Sequence, residues 1–206
     1  VEAGIPVTLL EAEPELPADL RASTWHPPTL DMLAPSGLTD RLIAEGLVSP
    51  TWQTRMHATG ERAVFDLSIL AGETDHPYRL QCEQSKFARL ALDQLIALGG
   101  AEIRFGARVV DLSQDADGVD VTVQAGGASE VLRGRYLIGA DGARSAVRER
   151  LGLRLSGKTY PETTILATTP FPFHEYLDGL SNVNYVWSED GTFSLLRLPG
   201  QWRCSL

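Results

Sequence analysis

The apolar positions of this chain change their rhythm along its length, and each rhythm predicts a different kind of element. From Ser85 to Leu98, the residues Phe87, Leu90, Ala91, Leu95 and Leu98 recur at spacings of three, four and seven. That spacing puts them on one face of a helix, which Gly99-Gly100 stops. Shorter helical patterns run from Pro27-Pro28-Thr29 through Leu30, Met32 and Leu33, and from Thr39 to Glu45. They are broken at Pro35-Ser36-Gly37 and at Gly46. Val1 to Gly4 reads as the last turn of a helix, and Val7 to Leu10 as a short strand with Glu11 at its carboxyl end. Strand patterns fill 51–59 and 62–66 as a hairpin about Gly60-Glu61. Others occupy 101–105, 107–113 and 119–124, with a turn at Asp115-Ala116-Asp117-Gly118. Tyr136 to Ala140 is an apolar run of the kind a buried strand shows, and it leads into Asp141-Gly142.

After Gly152 the texture becomes an all-β meander with candidate strands at 163–169, 182–188, 192–198 and 201–206. Pro170, Pro172, Asp190-Gly191 and Pro199-Gly200 punctuate it, and alternation places Tyr185 and Trp187 on one face. The last strand runs to Leu206 with no closing turn, an expected sign of truncation. The predicted fold class is α/β of a mixed, α+β kind. One layer is a partial doubly wound sheet from Val7–Glu11, parts of 101–124 and 136–140. The other is an antiparallel sheet from 51–66 and 163–206.

Composition narrows the function. The 206 residues are 43% hydrophobic, enough to bury a core, and no apolar run is long enough to cross a bilayer. A net charge of −9 argues against nucleic acid as a partner. Cys82 and Cys204 lie far apart and form no CxxC or Cys/His cluster, which predicts a reduced, cytoplasmic protein without structural zinc. His26, His57, His76 and His174 are scattered without metal spacing and read as surface or loop histidines. No GxSxG elbow anchors a hydrolase.

The charge is uneven. Residues 133–154 hold six Arg against Asp141 and Glu149, whereas residues 1–20 hold five acids and no base. Within the Arg-rich stretch, a strand, an Asp-Gly turn and a short helix from Ala146 to Leu151 follow one another, with Ser145 as the N-cap. Such an arrangement suits a phosphorylated ligand: glycine lets backbone approach, free N–H groups of the first turn face the anion, and Asp141 accepts from a hydroxyl. An ordinary αβ turn reads the same way from physics alone.

Three segments in order carry a resemblance. They are Gly4-Ile5-Pro6-Val7-Thr8-Leu9-Leu10-Glu11 with Arg21 ten residues on, Gln84-Ser85-Lys86-Phe87-Ala88-Arg89-Leu90, and Gly139-Ala140-Asp141-Gly142-Ala143-Arg144-Ser145-x-x-Arg148. Together they resemble the FAD-dependent aromatic-ring monooxygenases, the para-hydroxybenzoate hydroxylase-like flavoproteins, over most of residues 1–155. The resemblance implies a Rossmann-like FAD-binding part at 1–50 and 84–155 and a substrate-binding β-sheet at 51–83 and 156–206. It implies FAD as cofactor, NADH or NADPH as co-substrate and a small aromatic substrate, with the flavin carrying the oxidative chemistry.

Carried over by position, Glu11 is the ribose-binding acid, Arg21 contacts the phosphate or ribityl region, and Gln84 hydrogen-bonds the ribityl chain, with Gln81 as its substitute. The backbone of Val109 touches the adenine, and Asp141 and Gly142 form the Asp-Gly motif serving FAD and the nicotinamide cofactor. Tyr185 and Arg197 are substrate candidates, Arg197 because its planar fork matches a carboxylate or phenolate. No catalytic residue and no metal ligand is assigned. Two departures stand out: no GxGxxG occurs, and the family's later Gly-Asp segment is missing. Counting back roughly 20 residues from Glu11 puts the phosphate loop before Val1, so the chain reads as a fragment; otherwise Glu11 is an ordinary strand-end acid. A flavin-dependent reductase or halogenase shares these segments, and a truncated, non-catalytic chain is the remaining alternative.

Overall fold

The computed structural model describes residues 1–18 and 21–206. In chain order the elements begin with β1 (Val7–Leu10), β2 (Thr24–Trp25), α1 (Pro27–Leu33), α2 (Leu38–Glu45), β3 (Leu47–Ser49) and β4 (Thr51–Met56). Next come β5 (Arg62–Asp66), β6 (Arg79–Gln81), α3 (Gln84–Leu98), β7 (Ala101–Arg104), β8 (Arg108–Gln114) and β9 (Val119–Ala125). The last are β10 (Ala128–Gly134), α4 (Ala146–Arg150), β11 (Leu166–Thr169), α5 (Phe173–Tyr176), β12 (Val183–Ser188), β13 (Gly191–Leu198) and β14 (Gln201–Ser205). They fall into two compact units, Val1–Pro17 with Gln94–Tyr160, and Ala18–Asp93 with Pro161–Leu206.

In the first unit β1 and β7 pair in parallel, Val7 against Ala101 through Leu10 against Arg104. The pairing carries past the strand end, because the Glu11 N–H donates to Arg104 O at 2.9 Å and Ala107 N–H donates to Glu11 O at 2.8 Å. The chain then turns into the antiparallel sheet β10-β9-β8. Alternation explains its core: Val119, Val121 and Val123 of β9 are buried with Ala107, while Asp120 and Thr122 between them face the other way. Leu10, Val109, Leu112, Leu132 and Leu137 pack against this cluster. A register shift between Val109 and Asp111 bulges β8. Gly126 and Gly127, both at positive φ, turn β9 into β10, a strand the apolar pattern does not announce.

The expected strand at 136–140 is absent. These residues pair with no strand among the described residues, and Tyr136 and Ile138 are 81% and 87% exposed. An apolar run becomes a strand only when a neighbour takes its backbone hydrogen bonds, and nothing here does so. The doubly wound layer is thus the β1–β7 pair alone, with 108–134 in a sheet of its own. Val1 to Gly4 is a turn rather than a helical end, closed by the Gly4 N–H on Val1 O at 2.8 Å.

The second unit holds a small sheet, β2-β6-β3, and a six-stranded one, β11-β14-β13-β12-β4-β5. The larger sheet unites 51–66 with 166–205 as the pattern predicts, but β12 and β4 run parallel, joining Asn184 to Gln53 and Trp187 to Met56. Leu30 of α1, Leu38 and Leu42 of α2, Leu80 and Cys82 by β6, and Leu90 of α3 form the apolar cluster under the small sheet. Trp25 and Phe87 close it with rings 4.8 Å apart. Leu90 is the one buried residue of α3, and Leu98 is exposed.

Candidate functional site

Glu11 stands where a ribose-binding acid should, beyond the carboxyl end of a parallel strand. Its Oε1 accepts from the Glu13 N–H at 2.9 Å, which fixes the carboxylate and leaves Oε2 for a hydroxyl donor. Beside it, an open cleft of about 380 Å³ is lined by Ala12, Gly106, Arg108, Gln124 and the Gly126-Gly127 turn. Val109 lies in the same unit, half-buried and paired with Val123. Its side chain belongs to the core, while the bulge beside it disturbs the ladder.

The Asp-Gly turn is built differently from the expectation. Asp141 turns its carboxylate inward: Oδ1 accepts from the Ser145 hydroxyl at 2.5 Å and Oδ2 from the Val147 N–H at 3.1 Å. Ser145 then caps α4 by accepting from the Arg148 N–H at 3.0 Å. So the first-turn N–H groups of Val147 and Arg148 are not free to face an anion. Burial pushes the Asp141 carboxyl up, but the Ser145 hydroxyl and the backbone N–H groups outweigh it and hold it below the usual range. Gly142 has φ 76°, which favours glycine, and a Cβ on Gly139 would sit 2.9 Å from Val147 Cγ1. Asp141 is exposed, so a ligand hydroxyl can still reach the carboxylate.

Arg21 and Gln84 belong to the second unit, and the fold makes them neighbours. The Gln84 N–H donates to Ala22 O at 2.8 Å, so α3 opens against the residue that follows Arg21. Arg21 O accepts from Arg203 Nη2 at 3.3 Å. The Gln84 side chain is exposed, whereas Gln81 is fully buried in β6, with its Oε1 accepting from the Thr24 hydroxyl and its Nε2 unmatched.

Tyr185 and Arg197 do not share a wall. Tyr185 pairs with Ser194 and Arg197 with Trp202, and the odd offset from Ser194 to Arg197 along β13 puts them on opposite faces. Tyr185 meets Trp52 edge-on at 5.9 Å, and Trp52 stacks on Phe65 at 4.1 Å and lies under the Arg79 guanidinium at 4.4 Å. Burial and the Arg79 charge both lower His26 from its ordinary value.

Arg197 has different company, which the scattered histidines did not reveal. Its Nη2 lies 3.3 Å from His174 Nε2, and the His174 ring lies 6.1 Å from Trp202. Phe173 meets Trp202 edge-on at 5.8 Å, and Phe171 reaches Phe173 and Tyr176, each at 5.0 Å. The signal was present in Pro170-Phe171-Pro172-Phe173-His174-Glu175-Tyr176, a run dense in aromatics that two prolines open. Nothing in the run shows that it folds over Trp202.

On the same face as Arg197, Asn184 and Gln53 are both wholly buried. Asn184 Oδ1 accepts from Gln53 Nε2 at 2.6 Å and from the Ser181 N–H at 3.0 Å. Its Nδ2 donates to Ser181 O at 2.7 Å and Leu195 O at 3.0 Å. All four bonding positions of the amide are filled.

A separate cluster joins Asp31 of α1 to the loop before β6. His76 Nδ1 lies 2.6 Å from Asp31 Oδ1, and the Thr74 hydroxyl donates to Oδ2 at 2.7 Å. Hydrogen bonds from His76 and Thr74 hold the Asp31 carboxyl below its ordinary 3.8. A carboxyl lowered by folding stabilises the fold above its unfolded value, and that contribution is lost as pH falls through the folded value. Asp31→Asn is therefore expected to lower the melting temperature at pH 7 and to match the native protein well below pH 3.8. Equal melting temperatures at neutral pH would show that the cluster contributes nothing.

The chain matches the profile of the family described as FAD binding domain over residues 1–200. It is 36% identical to 6-hydroxy-3-succinoylpyridine 3-monooxygenase of Pseudomonas putida, over 84% of this chain and 44% of that protein. It is 34% identical to para-nitrophenol 4-monooxygenase of a Pseudomonas species, over 98% of this chain and 50% of the relative. Among solved structures, p-nitrophenol 4-monooxygenase from Pseudomonas putida superposes with a TM-score of 0.93 at 31% identity, over 99% of this chain and 52% of that one. The chain thus spans about half the length, or less, of these relatives.

Proposed function

The chain belongs to the FAD binding domain family, and on that premise we propose that it is the FAD- and ring-binding part of a monooxygenase that hydroxylates a phenolic ring with dioxygen and NADH or NADPH. The observation that carries this reading is Glu11: an acid held at the end of a parallel strand, with Oε2 uncommitted and a cleft beside it. A ribose and its nucleobase fit that place. Asp141 presents an exposed carboxylate to a cofactor hydroxyl, and Gly139 lets the turn lie close against Val147. Arg21 and Gln84, brought together within the second unit, are the other candidates for cofactor contact. FAD bound there supplies dioxygen activation; the residues of this chain hold the cofactor, orient the ring and exclude water.

The relatives named above act on a nitrophenol and on a hydroxylated pyridine, and a further one, 25% identical, is pentachlorophenol 4-monooxygenase of Sphingobium chlorophenolicum. These names support a hydroxylated aromatic ring as substrate. The ring is assigned to the sheet face of Arg197, whose guanidinium suits a phenolate; Trp202 beside it is buried beneath Phe173 and His174. Tyr185, on the other face, is left to packing. Among the described residues no helix is long and apolar enough to cross a membrane. Both cysteines are free thiols, which supports a reducing, cytoplasmic setting.

The test is to load the protein with FAD and supply NADH or NADPH with 4-nitrophenol, 4-hydroxybenzoate or phenol. Substrate-dependent nicotinamide oxidation with a hydroxylated product, seen by mass spectrometry, is expected. Flavin binding without any ring-stimulated oxidation overturns the reading.

A further inference from the structure

The six-stranded sheet ends at β5, beyond which no strand pairs among the described residues. Every residue of Arg62-Ala63-Val64-Phe65-Asp66 is exposed. The β4–β5 ladder fixes which backbone groups turn outward. The Met56 N–H donates to Glu61 O at 2.8 Å and the Leu67 N–H to Pro50 O at 2.9 Å. Antiparallel bonding alternates along a strand, so Ala63 and Phe65 bond to β4, while Arg62, Val64 and Asp66 aim their N–H and C=O groups away from it. Edge strands are commonly blunted by a lysine, a proline or a bulge. This strand has none of these, and its register with β4 runs without a shift.

The charges on this edge are complementary to themselves. Laid antiparallel to a second copy with Val64 at the centre, Arg62 falls opposite the partner's Asp66 and Asp66 opposite the partner's Arg62. Every outward N–H and C=O group of the strand is matched in that register. Slipping by two residues sets Arg62 or Asp66 against Val64 instead, so one register alone pairs the charges. Both ends are held in place beforehand. Arg62 Nη1 donates to Gly179 O at 2.7 Å, over a glycine whose Cβ, if present, would collide with the guanidinium. The rest of the fork has further N–H groups to offer a carboxylate. The Ser68 N–H donates to Asp66 Oδ1 at 2.9 Å, and hydrogen bonds from Ser68 hold that carboxyl below its usual range, so it is charged at neutral pH. On the opposite face, Phe65 would meet the partner's Ala63, with Trp52 stacked behind it at 4.1 Å.

We propose that β5 pairs antiparallel with β5 of a second copy about a two-fold axis at Val64, joining two six-stranded sheets into one and making the chain a homodimer. The pairing uses the second unit alone and does not rest on the cofactor reading. Because the strand meets itself, the assembly closes at two copies. Its interface is one strand wide, well below the ~1,600 Å² of a standard one, so the dimer forms and dissociates with concentration.

Sedimentation velocity over a concentration series is expected to show a reversible monomer–dimer equilibrium. Arg62→Asp and Asp66→Arg each set like charges together at both ends of the pair, and each should raise the dimer Kd about tenfold or more. Mixed in equal amounts, these two variants regain both opposite-charge pairs and should form a heterodimer as tight as the native dimer. The double variant Arg62→Asp/Asp66→Arg should return to within about twofold of the native Kd. Val64→Pro, which removes an outward N–H and no bond to β4, should abolish the dimer. A native chain that stays monomeric at about millimolar concentration overturns the proposal, and that measurement needs no variant to fold. Association that neither the charge reversals nor Val64→Pro weakens overturns it too, as does a mixture of the two folded reversals that stays monomeric.

Discussion

Asn184→Ala is expected to lower the unfolding free energy by about 4 kcal/mol. The amide fills four hydrogen bonds at a position with no solvent access, and alanine replaces none of them. Gln53 Nε2 keeps a second acceptor in Gly179 O at 3.1 Å, but its other hydrogen loses its partner in an amide whose Oε1 is already unmatched. The Ser181 N–H has no such reserve, and a buried group left unmatched costs about 1–3 kcal/mol, with the lost Ser181 O and Leu195 O contacts adding to it. The loss extends beyond one side chain. Ser181 ends the segment that Arg55 and Arg62 hold through Asp178 O and Gly179 O, so the path of the chain into β12 loosens with it. Urea unfolding followed by tryptophan fluorescence measures the effect. A change below about 1 kcal/mol would show that water takes over the broken bonds.

Asp141→Ala is expected to act twice. It removes the acceptors of the Ser145 hydroxyl and the Val147 N–H, which should cost the α4 region about 1 kcal/mol, as a lost cap does. It also removes the carboxylate assigned to a cofactor hydroxyl, worth ~1.5–3 kcal/mol, or roughly ten- to a hundredfold in FAD affinity. Ser145→Ala separates the two, since it takes away the cap while leaving the carboxylate. Flavin fluorescence titration should show a much smaller loss for Ser145→Ala than for Asp141→Ala. Equal losses would make Asp141 a structural residue, and an unchanged titration for Asp141→Ala would remove it from the cofactor site.

The helix α3 and the strands β9, β12, β13 and β14 were legible from the sequence because each carries its own periodicity and its own stop. The Ser145 cap and the Gly152 stop of α4 were legible for the same reason. Three things were not. The strand β10 follows a Gly-Gly turn but is mostly exposed, so no apolar alternation marks it. Tyr136 to Ala140 has the apolar content of a strand without a partner, and partners are not a property of a local pattern. The third was the site itself. Alternation alone put Tyr185 with Trp187, but only the pairing of Tyr185 with Ser194 shows that Arg197 faces away from both. Likewise, the Asp-Gly turn announced a ligand site, whereas the inward turn of Asp141 depends on Val147 and Ser145 arriving beneath it.

The open run at 136–140 also governs how the chain behaves in concentrated solution. Ile138 and Tyr136 stand in water together with Ile5, Val7 and Leu9, and among the described residues the β1–β7 ribbon has no third strand on either edge. Unpaired backbone flanked by exposed aliphatics is a template for intermolecular strand addition. Expressed by itself, this 206-residue chain should therefore bind hydrophobic dyes while folded and form β-rich oligomers as its concentration rises. A charged residue at Ile138 should delay that self-association without touching Glu11, Asp141 or the Arg197–His174 pair.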